Sequence, residues 1–341
     1  MWIHWKYNKT KKYPHAFQKK QTEEQTAITP DPAKVQGAPT KTETVPPTTA
    51  VVVPTDLPET IYEYKSGNLA FQLSSKGMGV KSLKLLNYTN RKGATVEFSM
   101  KEAPLSFETR LLGSLEPINF NVQKVSENLW VGRAEFGGLA ITKTIEIDPA
   151  KYAFDVKVGV RGQDPKFVGL TTFISDVVEE QKAASFFSFT QHDRQEAYVD
   201  TVDSHNNHIY FDTNAIDQAF TKGRVVAIGS PFFTQAAVDQ STVLPDIKLN
   251  VDPTKRTALI QMNHSVLNKT EDFNIHYTAF AGPKSMSLLK SVNEELVPAL
   301  DLGFFSTIAR FILTMLKGFY NLVGNWGVAI ILLTICVRII V

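Results

Sequence analysis

The middle of the chain alternates between apolar and polar residues in short runs, which is the pattern of half-buried β-strands. The alternation is cleanest at residues 139–147 and 152–160, with a turn at Asp148-Pro149-Ala150 between them. These two runs predict a hairpin with one solvent-facing side. We expect further strands at residues 69–73, 80–86, 167–174, 207–211, 224–229, 232–238, 258–264 and 273–280. Many short strands with few helical windows predict a mainly β fold, an all-β sandwich over residues 61–284.

Helical spacing of apolar residues begins after this domain. Apolar residues three or four positions apart predict a linking helix over residues 285–300. They are Met286, Leu289, Val292 and Leu296. We expect Pro298 to end or kink this helix, because proline inside a helix removes a backbone hydrogen bond.

A second helical pattern, over residues 301–320, combines bulky apolar residues with basic residues on the opposite side. Its apolar side holds Phe304, Phe305, Ile308, Phe311, Ile312, Met315, Leu316 and Phe319. Its polar side holds Ser306, Arg310, Thr314 and Lys317. This pattern is typical of a helix at a membrane interface, so we predict that Phe304, Phe305, Phe311 and Phe319 contact lipid. A helix packed on the core of a soluble domain is the alternative.

Residues 322–341 are almost entirely apolar and reach the length of about 20 residues that a bilayer core requires of a helix. They predict a transmembrane helix that is truncated at Val341, with Trp326 at the membrane interface. The one charged residue in this segment is Arg338. An arginine deep in a membrane helix indicates a functional site, whereas an arginine at the helix end reaches the headgroups. On the residues alone, both interpretations of Arg338 stay open.

The segment from Phe319 to Arg338, FYNLVGNWGVAIILLTICVR, closely resembles the YidC membrane protein insertase family, of the YidC/Oxa/Alb type. Shorter segments of the middle region are similar to the periplasmic domain of that family. They are Gly77-Met-Gly-Val-Lys-Ser-Leu83, Thr142-Lys-Thr-Ile145 with the segment 151–158, the segment 222–229 with Phe232-Phe233, and Phe280-Ala-Gly-Pro-Lys284. The resemblance covers residues 61–341.

This resemblance implies both a fold and a function. The fold would be a large twisted β-sandwich, similar to sugar mutarotases, followed by an interfacial helix and the first helix of the insertase core. The function would be insertion and chaperoning of membrane proteins in the bacterial inner membrane, without enzymatic chemistry or a cofactor. Arg338 would lie in a groove that receives polar or acidic parts of nascent membrane proteins. The partners would be these clients, the lipid bilayer and the Sec translocon.

The resemblance also gives an expectation for the start of the chain. Members of the family begin with a transmembrane helix that leads into the periplasmic domain, and the full-length form crosses the membrane several times. Residues 1–22 instead form a basic stub with Trp2 and Trp5, which we interpret as the end of a missing or truncated membrane anchor. A solvated tail is the alternative. Residues 23–60 are rich in proline and threonine and predict a disordered linker.

Composition argues against several other classes of protein. The formal net charge of +2 gives no sign of a nucleic-acid-binding protein. Cys336 is the only cysteine, so the chain has neither an intrachain disulfide nor a cysteine-based metal site. The sequence also contains no phosphate-binding loop, nucleophile motif or zinc signature.

Histidines and carboxylates lie close together in and beside residues 191–207, a polar stretch that predicts a surface loop. The candidates for a metal site are Asp193, Asp200, Asp203, His205 and His208, but we expect a solvated loop without a metal. A catalytic pair could be assembled from Glu179, Glu180 or Asp193 with His192 or His205, although no motif supports one. His264 and His276 lie in predicted strands, where we expect surface or edge histidines with satisfied hydrogen bonds.

Two classes of function therefore remain. The first is a non-enzymatic membrane protein insertase. The second is a membrane-tethered periplasmic β-sandwich that binds carbohydrate or a partner protein. An inactive fragment of an insertase is a third interpretation.

Overall fold

The structure is a computed structural model that describes residues 58–90, 93–98, 104–179, 195–266, 272–300 and 306–340. The chain divides into two compact units, residues 1–47 and 48–341, and all of the described residues belong to the second. The stub predicted over residues 1–22 lies outside the described residues. So do all but the last three residues of the linker predicted over residues 23–60.

The described strands form three sheets, and every neighbouring pair of strands is antiparallel. The four-stranded sheet has the order β1 (Ile61–Ser66), β2 (Leu69–Ser74), β3 (Val80–Thr89), β4 (Thr95–Phe98). The five-stranded sheet has the order β13 (Ile216–Phe220), β16 (Asp246–Asp252), β17 (Thr257–Ser265), β10 (Gly169–Val177), β5 (Thr109–Leu111). The nine-stranded sheet has the order β12 (Asn207–Tyr210), β11 (Glu196–Thr201), β14 (Gly223–Gly229), β15 (Phe233–Asp239), β18 (Phe273–Pro283), β9 (Ala153–Gly162), β8 (Leu139–Asp148), β7 (Leu129–Phe136), β6 (Asn121–Ser126). The prediction of a mainly β fold is confirmed.

The predicted hairpin is present as strands β8 and β9. Its register pairs Asp148 with Ala153, and the Asp148 carboxylate accepts hydrogen bonds from the backbone N–H groups of Ala150 and Lys151, which closes the turn. Alternate residues of β8 are buried, as the alternation predicts. The same alternation places Lys143 among the buried positions of this strand.

The five-stranded and nine-stranded sheets pack against each other, with β10 and β17 in contact with β14. Polar side chains join the two sheets in addition to apolar packing. The Gln235 side-chain amide donates to the carbonyl oxygen of Ser175, and His264 Nε2 lies 2.7 Å from the Asp239 carboxylate. Because buried polar groups are costly without partners, these bonds fix how one sheet lies on the other.

Strand β11 corrects the prediction of a surface loop over residues 191–207. Within that range, Glu196–Thr201 forms a strand with neighbours on both sides, β12 and β14. Ala197, Tyr198 and Val199 are all buried. The prediction was wrong because the buried Glu196 is paired with Lys284, 88 positions away, while Thr201 bonds the nearby Ser204. The polarity of these residues therefore does not indicate solvent.

The linking region also differs from the prediction of one helix over residues 285–300. It consists of helix α1 (Met286–Val292) and a 3₁₀ helix at Glu294–Ala299. The break lies at Asn293 and not at Pro298, since Asn293 is extended and its side chain accepts a hydrogen bond from the Glu295 N–H group. A side chain that caps a new helix start competes with continuation of the preceding helix. Pro298 is accommodated inside the 3₁₀ helix.

Two further helices follow, α2 (Ser306–Val323) and α3 (Trp326–Ile340), and they contact each other. Helix α2 corresponds to the interfacial helix predicted over residues 301–320. Phe304 and Phe305 lie outside the described residues. Helix α3 begins at Trp326, which corrects the prediction of a continuous helix from Leu322, because Leu322 and Val323 belong to α2.

Candidate functional site

The turn between α2 and α3 is built by three consecutive residues. Gly324 has a φ of +66°, and its N–H group donates to the carbonyl oxygen of Tyr320, which ends α2. The Asn325 side-chain oxygen then accepts from the N–H group of Gly327 at 2.8 Å, which starts α3. The Trp326 ring stacks on Tyr320 with the ring centroids 3.9 Å apart and an interplanar angle of 12°. The Gly-Asn-Trp sequence therefore forms a well-defined turn between α2 and α3.

Both helices expose large apolar side chains. Exposed residues are Phe311, Ile312, Leu313, Leu322, Val323, Trp326, Val328, Ile330, Ile331, Ile335 and Val337. Phe319, one of the predicted interfacial residues, is half-buried. The fraction of Leu322 that is exposed is 86%. Exposed apolar residues in this number are typical of a surface that contacts a membrane or another protein.

Among the residues that the structure describes, no helix has both the length and the apolar character that crossing a membrane requires. The transmembrane helix predicted over residues 322–341 is therefore not confirmed, and it stays a prediction.

Arg338 is exposed in the last turn of α3. It forms no ion pair with any described residue, and it lies at the opposite end of α3 from Trp326. The structure thus places the predicted groove residue and the predicted interfacial tryptophan on one helix, but it does not bring them together.

A buried ionic cluster lies where the nine-stranded sheet ends. Lys284 Nζ is 2.5 Å from one oxygen of the Glu196 carboxylate, and His208 Nδ1 is 3.1 Å from the other. Only 4% of the Lys284 side chain and 7% of the Glu196 side chain are exposed. Burial acts to raise the pKa of Glu196, but the hydrogen bond from His208 and the charge of Lys284 outweigh it and hold the pKa below its ordinary value. Glu196 is therefore ionised at neutral pH.

A second buried lysine, Lys143, joins distant loops. Its ammonium group donates to the carbonyl oxygens of Gly77, Met78 and Phe107 and to the hydroxyl of Thr109. Met78 and Phe107 both have positive φ angles, which residues with side chains rarely adopt. Burial lowers the pKa of Lys143 to about 7, and the charge of Glu108 opposes this shift.

The histidines and carboxylates considered for chemistry lie in separate pairs. His205 Nδ1 is 3.1 Å from Asp200, whereas His208 belongs to the cluster with Glu196. Asp193 lies outside the described residues. Among the described residues there is no group of three or more His, Cys, Asp or Glu side chains arranged to hold a metal ion.

The prediction for the two strand histidines is corrected in one respect. His264 is buried at 1% exposure and is bonded to Asp239 between two sheets, so it is not a surface or edge histidine. His276 is half-buried and bonded to Asp155 at 2.5 Å. The physical reason for the difference is that His264 points to the inner face of β17, as Ile260 and Met262 do.

The family to which the chain belongs follows from a match to a protein-family model. The family model described as "YidC periplasmic domain" matches residues 129–315, which is more than half of the chain. The chain belongs to the YidC family. The match includes both β8, which carries Lys143, and the segment through Lys284 to α2. This confirms the resemblance on which the sequence predictions drew.

Curated relatives agree with this assignment. The membrane protein insertase YidC of Lawsonia intracellularis is 51% identical over 59 residues, which are 17% of this chain and 11% of that protein. The insertase YidC of Geobacter metallireducens is 40% identical over 74 residues, 22% of this chain and 14% of that protein. The matched segments therefore span only about one-eighth of the length of these YidC proteins.

Two solved structures match the chain at low similarity. A galactose mutarotase-like protein from Lactobacillus casei matches 65% of this chain and 100% of that chain, with a TM-score of 0.46 and 9% identity. A galactose mutarotase related enzyme from Lactobacillus acidophilus matches 65% of this chain and 97% of that chain, with a TM-score of 0.40 and 9% identity. Similarity at this level supports no conclusion about the chemistry of a YidC domain.

Sequence reasoning did not find the two buried lysines of this YidC domain. Both lie inside the segments that carry the family resemblance, Thr142-Lys-Thr-Ile145 and Phe280-Ala-Gly-Pro-Lys284. Lys143 could have been found from the alternation of β8, because a lysine at an inward position of a strand needs buried partners. Glu196, the partner of Lys284, carries no such signal.

Proposed function

We propose that this chain is part of a membrane protein insertase and chaperone that works in the bacterial inner membrane without enzymatic chemistry. The observation that carries the proposal is the exposure of large apolar side chains on α2 and α3 in a chain of the YidC family. Transfer of each such Leu, Ile or Phe side chain from water to lipid is favourable by about 1.5–3 kcal/mol. Among the described residues, these helices therefore gain most from contact with a bilayer.

In this proposal, α2 lies in the membrane interface. Phe311, Phe319 and Trp326 contact lipid, and Phe304 and Phe305 have the same role at the start of the segment. The stacked pair of Tyr320 and Trp326 supports this placement, since tyrosine and tryptophan favour the headgroup region. Helix α3 (Trp326–Ile340) continues into the bilayer as part of the first transmembrane helix of the insertase core.

Arg338 then supplies the polar surface that a client needs. A charged side chain in the membrane is costly, about 2.5–3.5 kcal/mol on insertion scales, and therefore faces water or a polar partner. In a hydrophilic groove, Arg338 would reduce the cost of moving polar or acidic client segments into the lipid. Its exposure and its lack of an ion pair with any described residue are consistent with a free guanidinium group.

The same proposal assigns roles to the remaining parts of the chain. Residues 61–284 form a twisted, mutarotase-like β-sandwich in the periplasm, and residues 285–300 connect it to the membrane segment. The clients are nascent membrane proteins, and the Sec translocon is a further partner of the full-length, multi-pass form.

Membrane attachment is tested by flotation of the full chain with vesicles of phosphatidylethanolamine and phosphatidylglycerol. We expect Leu322→Asp to reduce the floated fraction several-fold. The matched control is Leu115→Asp, because Leu115 is also 86% exposed but lies in the β domain. Equal flotation of the two variants would contradict attachment through α2 and α3.

The role of Arg338 is tested in a complete insertase that carries this sequence. We expect Arg338→Ala and Arg338→Glu to reduce insertion of clients with polar or acidic translocated segments. Arg161→Ala is the control, since Arg161 is an exposed arginine of the β domain. Normal insertion of such clients by both Arg338 variants would show that the groove role is wrong.

A further inference from the structure

The chain leaves the nine-stranded sheet at a short and well-fixed junction. Strand β18 ends at Pro283 and α1 begins at Met286, so Lys284 is the first residue beyond the strand. The N–H group of Lys284 donates to the carbonyl oxygen of Phe232 at 2.7 Å. This bond ties the backbone of the junction to the turn between β14 and β15.

The side chain of Lys284 makes a second attachment in a different direction. It reaches Glu196 on β11, and Glu196 in turn bonds His208 on β12. His208 also packs against Tyr198, with the ring centroids 4.8 Å apart. A buried ion pair of this kind needs all of its partners, because removal of one leaves an uncompensated charge away from water. The junction is thus connected to two strands at the far edge of the sheet.

The residues after the junction continue along the β domain. Leu289 of α1 and Leu296 and Ala299 of the 3₁₀ helix are buried, and the 3₁₀ helix contacts β14 and β15. Arg224 of β14 lies 3.5 Å from Glu295. Residues 286–299 are therefore a packed extension of the β domain and not a free linker.

We propose that Lys284 is a positioning residue that, through Glu196 and His208, fixes the path of residues 285–299 on the β domain. Its consequence is that the chain departs from a fixed point on the β domain, Ala299, before the membrane segment begins. That consequence rests on the function proposed above, whereas the attachment itself can be tested without any membrane.

The experiment is amide hydrogen exchange on the full chain. The reporters are the N–H groups of Leu289, Asn293 and Leu296, which are bonded to Ser285, Leu289 and Asn293. We expect Lys284→Met to accelerate exchange at these reporters at least tenfold and to leave Val156 and Val158 of the central strand β9 unchanged. Lys157→Met is the control, since Lys157 is an exposed lysine that pairs with Asp155 on β9.

A double variant, Glu196→Gln with Lys284→Met, separates the attachment from the cost of an unpaired carboxylate. Our inference predicts that the reporters exchange as fast in the double variant as in Lys284→Met, because the ion pair between Lys284 and Glu196 is missing in both. A return to wild-type rates in the double variant would overturn the inference, as would equal acceleration at Val156 and Val158. The double variant gives the deciding result if Lys284→Met does not fold. A failure in the flotation or insertion experiments would not alter these exchange rates.

Discussion

The ammonium group of Lys143 lies 2.9 Å from the carbonyl oxygen of Gly77, although the two residues are 66 positions apart in the chain. Lys143 belongs to β8 of the nine-stranded sheet, and Gly77 lies in the turn that leads into β3 of the four-stranded sheet. The same ammonium group contacts Thr109, the first residue of β5 in the five-stranded sheet. One side chain therefore connects all three sheets.

Replacement of Lys143 should destabilise the whole β domain. Lys143→Met leaves buried carbonyl oxygens without a donor, and each such loss costs about 1–3 kcal/mol. We expect the free energy of unfolding to fall by at least about 2 kcal/mol in urea titrations at pH 8. Lys151→Met is the control and should change it by less than about 1 kcal/mol, because the pair of Lys151 and Asp148 is exposed. Similar midpoints for the two variants would refute this role of Lys143.

The stability that Lys143 contributes should also depend on pH. Its pKa is about 7 in the folded protein, against an ordinary value of 10.5 in the unfolded chain. Between these two values the unfolded chain binds more protons, so stability rises with pH, by up to about 1.4 kcal/mol per pH unit. Below pH 7 both states are protonated and this dependence disappears. We expect the difference in unfolding free energy between wild type and Lys143→Met to grow from pH 7 to pH 9. A constant difference would show that the pKa of Lys143 is not lowered.

Gly77 should tolerate no side chain. A Cβ atom at this position would lie 2.3 Å from Cγ of Glu108 and 2.9 Å from the Thr109 nitrogen, and its φ of +65° already disfavours other residues. Gly67 has a φ of +53° with open space around it. Gly67→Ala should therefore cost about 1 kcal/mol for the backbone alone, and Gly77→Ala should cost at least about 1–3 kcal/mol more. Thermal unfolding of both variants measures the difference, and equal melting temperatures would contradict the close packing at Gly77.

The corner between α2 and α3 should depend on the Asn325 side chain. Asn325→Ala removes the acceptor for the N–H groups of Gly327 and Val328, and loss of such a cap costs about 1 kcal/mol. We expect hydrogen exchange at these two amides to become roughly fivefold faster, the equivalent of about 1 kcal/mol. Asn321→Ala, an exposed position within α2, should leave both amides unchanged. If both variants behave like wild type, Asn325 does not start α3.

Much of the β fold follows from local sequence pattern. The β8–β9 hairpin was predicted because alternation of period two and a turn at Asp148 coincide. Strand β11 was missed because Glu196 and Thr201 are polar, and only Lys284 and His208, distant in sequence, make burial of Glu196 acceptable. The pattern of apolar and polar residues within a segment gives no information about an ion-pair partner that lies elsewhere in the sequence.

In the candidate site too, local features were predicted from the sequence and features that depend on other groups were not. The amphipathic pattern predicted a helix that the structure has as α2, and the turn at Gly324 and Asn325 uses residues whose conformational preferences are local. The break at Asn293 was misplaced to Pro298, since proline is a strong signal and an asparagine cap is a weak one. The membrane placement of α3 and the role of Arg338 depend on a bilayer and on partners, and they stay predictions.

The most direct measurement of the proposed function is client insertion into proteoliposomes that contain a complete insertase carrying this sequence. The readout is the fraction of a newly synthesised client whose translocated segment is protected from protease. We predict clear protection with wild-type protein, weaker protection with Arg338→Ala, and background protection in empty vesicles. Equal protection in empty and protein-containing vesicles would contradict the insertase function.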